Sequence, residues 1–178
     1  MKTLLAALLF ATSAVAQTNP ALTQAESACG PLNVRFDART TFQGHPIAGP
    51  EPGKALVYVV EDFSKAPGEL GNPTIRVGLD GAWKGATRAN SYLFFSVDPG
   101  EHHLCTSWQS SLQHLSKLAS FARFSAQAGS TYYFRARITY STYGSGTANM
   151  VLDLAPVDPD EGQFLVASFR PSSSHEKK

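Results

Sequence analysis

The sequence predicts a mainly β protein: an antiparallel β-sandwich of about seven or eight strands with a short C-terminal α-helix. Three observations carry that expectation. Short runs rich in β-branched and aromatic residues recur between Lys54 and Leu154. Turn formers such as Asp80-Gly81 and Asp98-Pro99-Gly100 separate them at hairpin spacing. A helix start is legible at Asp158-Pro159-Asp160-Glu161, where a capping aspartate precedes a proline suited to the first helical position and an acidic first turn.

Taken from the N-terminus, residues 1–16 read as a secretory signal peptide. Lys2 supplies the charge, Leu4 to Ala11 the apolar core, and Ala14-Val15-Ala16 the small-x-small cleavage site. The apolar stretch is shorter than the roughly 20 residues that cross a bilayer. The first cysteine, Cys29, follows Glu26-Ser27-Ala28 rather than the cleavage site, so neither a transmembrane segment nor a lipid anchor is expected in the mature form. The protein is expected to be exported, periplasmic or secreted. Residues 17–28 read as an extended leader, 29–170 as a single sandwich domain, and 171–178 as a disordered tail.

The chain carries 15 basic and 14 acidic residues, and 15 less Lys2 leaves 14 against 14 after cleavage. That balance gives no electrostatic reason to expect nucleic acid as a partner. Two cysteines in an exported chain predict a Cys29–Cys105 disulfide, with two unpaired thiols as the alternative.

A first strand is expected at Asn33 to Arg39, then a turn-rich loop from Gly44 to Gly53. Ala55 to Glu61 is a continuous apolar run of strand length with β-branched residues, the mark of a central strand. In Thr74 to Leu79 the residues Ile75, Val77 and Leu79 alternate towards a core. Ser91 to Val97 turns through Asp98-Pro99-Gly100 into His102 to Trp108, where Leu104 and Trp108 share one face and His103, Cys105 and Ser107 the other. Leu115 to Ala126 reads as a strand with Leu118, Ala122 and Phe124 on one face. The cleanest alternation sets Tyr132, Phe134, Ala136 and Ile138 inward, and Tyr133, Arg135 and Arg137 outward. A last strand lies near Asn149 to Leu154, and the helix after Asp158 is expected to pack Phe164, Leu165, Ala167 and Ser168 on the sheet despite Gly162.

The succession Pro52-Gly53-Lys54-Ala55-Leu56-Val57-Tyr58-Val59, Val77-Gly78-Leu79-Asp80-Gly81, Asn90-Ser91-Tyr92-Leu93, Pro99-Gly100-Glu101-His102 and Ala128-Gly129-Ser130-Thr131-Tyr132-Tyr133 resembles a bacterial family of exported β-sandwich proteins, domain of unknown function 2846. The resemblance covers roughly Gly53 to Phe169, and the stretch from Asp80-Gly81 to His102 is also similar to PEGA-type surface repeats. It implies a fold and a compartment. It implies no activity, because each shared element shapes a turn or fills a core.

Few residues invite chemistry. Asp98, Glu101, His102 and His103 are of zinc-ligand type, but adjacent histidines on a strand point to opposite faces, so His102 and His103 are weak metal candidates. Gly144-Ser145-Gly146 is the nearest string to a nucleophile elbow and reads as a flexible loop. Arg123, Arg135 and Arg137 with Tyr133 form a candidate binding face for a carboxylate-bearing or sugar polymer. Trp83 either closes the core or contacts a ligand. No pattern calls for a cofactor. The expected function is a non-enzymatic binding or envelope-associated module with an envelope protein or cell-wall glycan as partner; an unrecognised enzyme and a structural accessory subunit are the alternatives.

Overall fold

The computed structural model describes residues 27–41, 49–63, 72–143 and 147–178. The proposed signal peptide, most of the leader and the Gly144-Ser145-Gly146 string lie outside the described residues. Among the described residues ten strands form two facing sheets: β1 (Phe36–Thr40), β2 (Ala55–Phe63), β3 (Thr74–Leu79), β4 (Ala82–Arg88), β5 (Ser91–Val97), β6 (Gly100–Trp108), β7 (Ala119–Ala126), β8 (Thr131–Tyr143), β9 (Thr147–Val157) and β10 (Arg170–Glu176). A one-turn helix α1 (Gln113–Ser116) precedes β7, and α2 (Pro159–Ser168) lies between β9 and β10. The larger sheet has the order β1-β10-β5-β2-β8-β9 and the smaller β4-β3-β6-β7. Most pairings are antiparallel; β2–β8 and the short β10–β5 contact run parallel.

The core lies between the sheets. Val57, Val59 and Phe63 of β2 meet Ile75, Val77 and Leu79 of β3, Leu104 and Trp108 of β6, and Phe134, Ala136 and Ile138 of β8. The period-2 alternation read from the sequence is the alternation observed. The other face of β2 is covered as well: Leu56, Tyr58 and Val60 pack with Tyr92 under Leu165 of α2. That double cover is why β2 reads as a continuous apolar run rather than an alternating one.

Several expectations are corrected. The tail is not disordered, since Arg170 to Glu176 forms β10, which pairs with β1 from Phe36↔Glu176 to Thr40↔Ser172. A polar serine-rich strand gives no apolar alternation to read, because its serines work by hydrogen bonding: Ser174 Oγ accepts from the Ala86 amide (2.9 Å) and Ser172 Oγ donates to the Ala86 carbonyl (3.1 Å). β4, the other strand beyond the expected number, has Trp83 as its one large apolar residue, and at Gly85 it lies close to β10; a Cβ there would stand 2.6 Å from Ser174 Oγ. The leader joins the domain earlier than expected, with Ser27 to Cys29 helical and Ala28 buried. The segment Leu115 to Ala126 divides into α1 and β7.

Helix α2 begins as the sequence indicates, with Asp158 Oδ1 accepting from the Asp160 and Glu161 amides at 2.9 and 3.0 Å. Its buried face is different. Phe164 is 68% exposed, and Ala167 and Ser168 are exposed; Gly162 and Leu165 are buried, with Val166 and Phe169 beside them, an i, i+3, i+4, i+7 stripe. Gly162 is therefore a contact rather than a flaw, because any Cβ there would overlap the Tyr133 ring.

The sheet edges are finished by side chains. β4 is capped by Ser172 and Ser174. At the opposite seam Ser120 Oγ of β7 accepts from the Leu154 amide of β9 (3.0 Å). The Gln109 amide group grips both backbone atoms of Phe36 in β1, accepting from its N–H at 2.6 Å and donating to its carbonyl at 2.8 Å.

Candidate functional site: a cationic cleft beside the N-terminal segment

The structure disperses the residues that the sequence grouped. Arg123 lies on β7 of the smaller sheet, away from Tyr133, Arg135 and Arg137 on β8, so the proposed face does not form. Each arginine is matched by an acid: Arg123 Nε to Glu101 (2.9 Å), Arg137 Nη2 to Asp62 (3.2 Å), and Arg135 to Glu161. Tyr133 stacks on Tyr58 with ring centroids 5.3 Å apart and lies under Gly162. The arginines of β8 thus serve to hold α2 and β2.

His102 and His103 do point to opposite faces. Both ring nitrogens of His102 are engaged, Nδ1 with Asp80 Oδ2 at 2.6 Å and Nε2 with the Asp98 carbonyl at 2.7 Å, while Asp80 Oδ1 accepts from the His103 amide at 2.8 Å. Partial burial disfavours the imidazolium, but the hydrogen bonds and charge of Asp80 and the Asp98 carbonyl prevail and hold its pKa above the usual value. Burial likewise raises the Asp80 carboxyl, and the His103 amide and His102 ring outweigh it and lower it. This is a turn-fastening ion pair.

What the sequence did not single out is the outer face of the smaller sheet, crossed by the N-terminal segment. Cys29 and Cys105 form the disulfide, with Cα atoms 5.0 Å apart. The crossing is close, and a Cβ on Gly78 would meet the Cys29 Cα at 2.7 Å. Trp83 Nε1 donates to the Pro31 carbonyl (2.8 Å), which places this indole over the segment rather than in the main core. Arg76, only 6% exposed, completes the fastening. Its Nη1 donates to the Leu32 and Val34 carbonyls (3.0 and 2.7 Å), its Nη2 to Ser107 Oγ (2.8 Å), and its guanidinium lies 4.5 Å from the Trp83 ring centroid. Because Leu32 and Val34 are held by this grip, β1 begins at Phe36 rather than at Asn33.

Arg76 forms no ion pair among the described residues, and its buried Nε has no hydrogen-bond partner. Burial and the neighbouring charge of Arg35 both lower its pKa. Beside it open two adjoining concavities of about 340 Å³ each, which share Arg35, Trp108, Gln109 and Ser110. Among the described residues, no acid lines either one. The cleft therefore concentrates positive potential in a concave, partly apolar setting, where a negative group is favoured.

Arg76 was hidden in the sequence because it alternates with Ile75 and Val77 and so reads as a solvent-facing strand position. The signal that could have revealed it is Gly78 two residues on, a site of close approach on the same face. Arg35 carries no signal at all, since only the course of the N-terminal segment brings it beside Trp108.

The fold and the cleft define a disulfide-tied β-sandwich domain with a cationic concavity. The chain belongs to the DUF2846 family, described as a protein of unknown function, whose profile matches residues 51–148. No curated protein matches the sequence. The matched region supplies Arg76, Trp108, Gln109 and Ser110; Cys29, Asn33 and Arg35 lie N-terminal to it.

Proposed function

We propose that this protein is an exported, non-enzymatic binding module whose partner, an envelope protein or a cell-wall glycan, seats an anionic group in the cleft between Arg35 and Trp108. The observation that carries the reading is the positive charge of Arg35 and Arg76 in a concavity that no acid among the described residues lines. The side chains around it are amides, hydroxyls, guanidinium groups, an indole and aliphatic groups. None of these exchanges a proton readily near neutral pH, which supports recognition rather than acid–base catalysis. Export is supported by the charged, apolar and small-x-small N-terminal pattern and by the Cys29–Cys105 bond.

The test is affinity capture from the native envelope, with and without crosslinker, comparing the wild type with Arg35→Glu. Arg35 is exposed, so the fold is expected to survive the change. A protein or glycan recovered by the wild type and lost by the variant is the expected result. Equal recovery by both proteins would remove the cleft from the account.

A further inference from the structure

We infer that the ligand of this cleft is a carboxylate borne on a short apolar stem, the chemistry of a peptide C-terminus that ends in an aliphatic residue. The inference rests on the reading of the protein as a binding module and specifies what its site accepts.

Arg35 is exposed and forms no ion pair among the described residues, so its planar fork is open to a bidentate partner. Arg76 is positioned differently. Its Nη atoms are occupied by the Leu32 and Val34 carbonyls and Ser107, so it acts as a positioning residue that fixes the backbone on both sides of Asn33 and adds its field to that of Arg35. One accessible guanidinium beside one buried charge suits a singly charged planar group. A dianionic phosphate is usually held by several convergent backbone amides or free cations.

The apolar part of the ligand is indicated by the walls. Leu32 lines one concavity and Leu112 the other, 49% and 47% exposed; the buried Trp108 lines both and the buried Leu115 the second. Large aliphatic side chains left in water on both sides of a cationic cleft are matched by an aliphatic ligand group. The volume of about 340 Å³ in each concavity falls at the lower end of small-ligand sites, suited to a terminal residue.

The experiment is a two-dimensional NMR titration of the intact, oxidised protein with N-acetyl-leucine, its amide, acetate and inorganic phosphate. N-acetyl-leucine is expected to shift the Trp108 indole and Gln109 amide signals saturably, and to bind at least about tenfold more tightly than the other three probes. Arg35→Gln should weaken N-acetyl-leucine by about tenfold, and Leu32→Ser should weaken it while leaving acetate unchanged. Equal binding of the amide, tighter binding of phosphate, or no shift at millimolar N-acetyl-leucine would overturn the assignment. Envelope capture that is lost in Arg35→Glu alongside a silent N-acetyl-leucine titration would remove the carboxylate and keep the binding module. Capture retained in Arg35→Glu alongside saturable N-acetyl-leucine binding would support the carboxylate and move the captured partner to another surface.

Discussion

Glu61 Oε1 accepts a 3.0 Å hydrogen bond from the Ala89 amide, and the carboxyl that makes it is fully buried on the face of β2 that carries Val59 and Phe63. Ala89 and Asn90 form the turn between β4 and β5, both at positive φ (34° and 48°), and Asn90 Oδ1 accepts from the Phe63 amide at 2.8 Å. β2 thus holds a left-handed turn at the point where the chain passes from one sheet to the other. Glu61 Oε2 has no hydrogen-bond partner among the described residues, and the Thr87 hydroxyl beside it donates to the Ile75 carbonyl. Burial pushes the Glu61 pKa up to about 8; the Ala89 amide and the charge of Arg88 offset only part of it.

The sign of the pH effect follows. The folded state keeps the Glu61 proton up to about pH 8, whereas the unfolded chain releases it near the ordinary carboxyl value of 4.5. Stability from this group is complete below the unfolded value and is lost as pH rises towards 8, a change on the order of a few kcal/mol. Glu61→Gln retains an acceptor for Ala89 and cannot ionise. Urea unfolding is expected to show the variant more stable than the wild type at pH 8 and no more stable at pH 4; parallel pH profiles would rule out an ionising Glu61.

Gly162→Ala should destabilise the protein although alanine is the better helix former by about 1 kcal/mol. A Cβ at this position overlaps Tyr133, whose ring is fixed by stacking on Tyr58. Overpacking of this kind costs about 1–3 kcal/mol. Hydrogen exchange should locate the loss in α2, and a rise in Tm would contradict the contact.

The His102 titration gives a second pH signature. Both ring nitrogens face acceptors, Asp80 Oδ2 and the Asp98 carbonyl, so the doubly protonated ring satisfies both. Its folded pKa is raised, and its contribution is present in full below the unfolded pKa and lost as pH rises through the folded one. Asp80→Asn should lower the NMR titration midpoint of His102 towards the ordinary imidazole value. An unchanged midpoint would separate the two residues.

Removing the disulfide with Cys29→Ser and Cys105→Ser opens a link between residues 76 apart in sequence. Chain-entropy arithmetic for a loop of that length gives about 4 kcal/mol. Because Cys29 leads into the segment that carries Asn33 and Arg35, exchange protection from Leu32 to Phe36 should fall more than in the inter-sheet core. A uniform fall across the domain would mean that the segment is not a separate unit.

The difference between what was legible and what was not has a physical source. Strands β2, β5 and β8 could be read because their residues face a core or alternate with it, and the Asp158 cap because its chemistry is local. β10 was missed because Ser172 and Ser174 act as hydrogen-bond donors and acceptors for Ala86, a role with no periodic apolar trace. The cleft was missed for a related reason. Arg35 and Trp108 are 73 positions apart and become neighbours through Arg76, whose strand position looks solvent-facing when the N-terminal segment is not in view. The grouping of Arg123 with Arg135 and Arg137 assumed one sheet face; they sit in two sheets, each beside its own acid.

The side-chain finishing of the sheet margins bears on how many copies of this protein can share a crowded space. A bare strand margin is a template onto which a second chain can add and begin a fibril. Here Ser172 and Ser174 occupy Ala86, Ser120 occupies Leu154, and Gln109 occupies Phe36, so a neighbouring molecule arriving margin-on meets groups that are already taken. Three margin residues are thereby closed to strand addition by four polar side chains, and loss of those side chains is expected to show as self-association at high concentration.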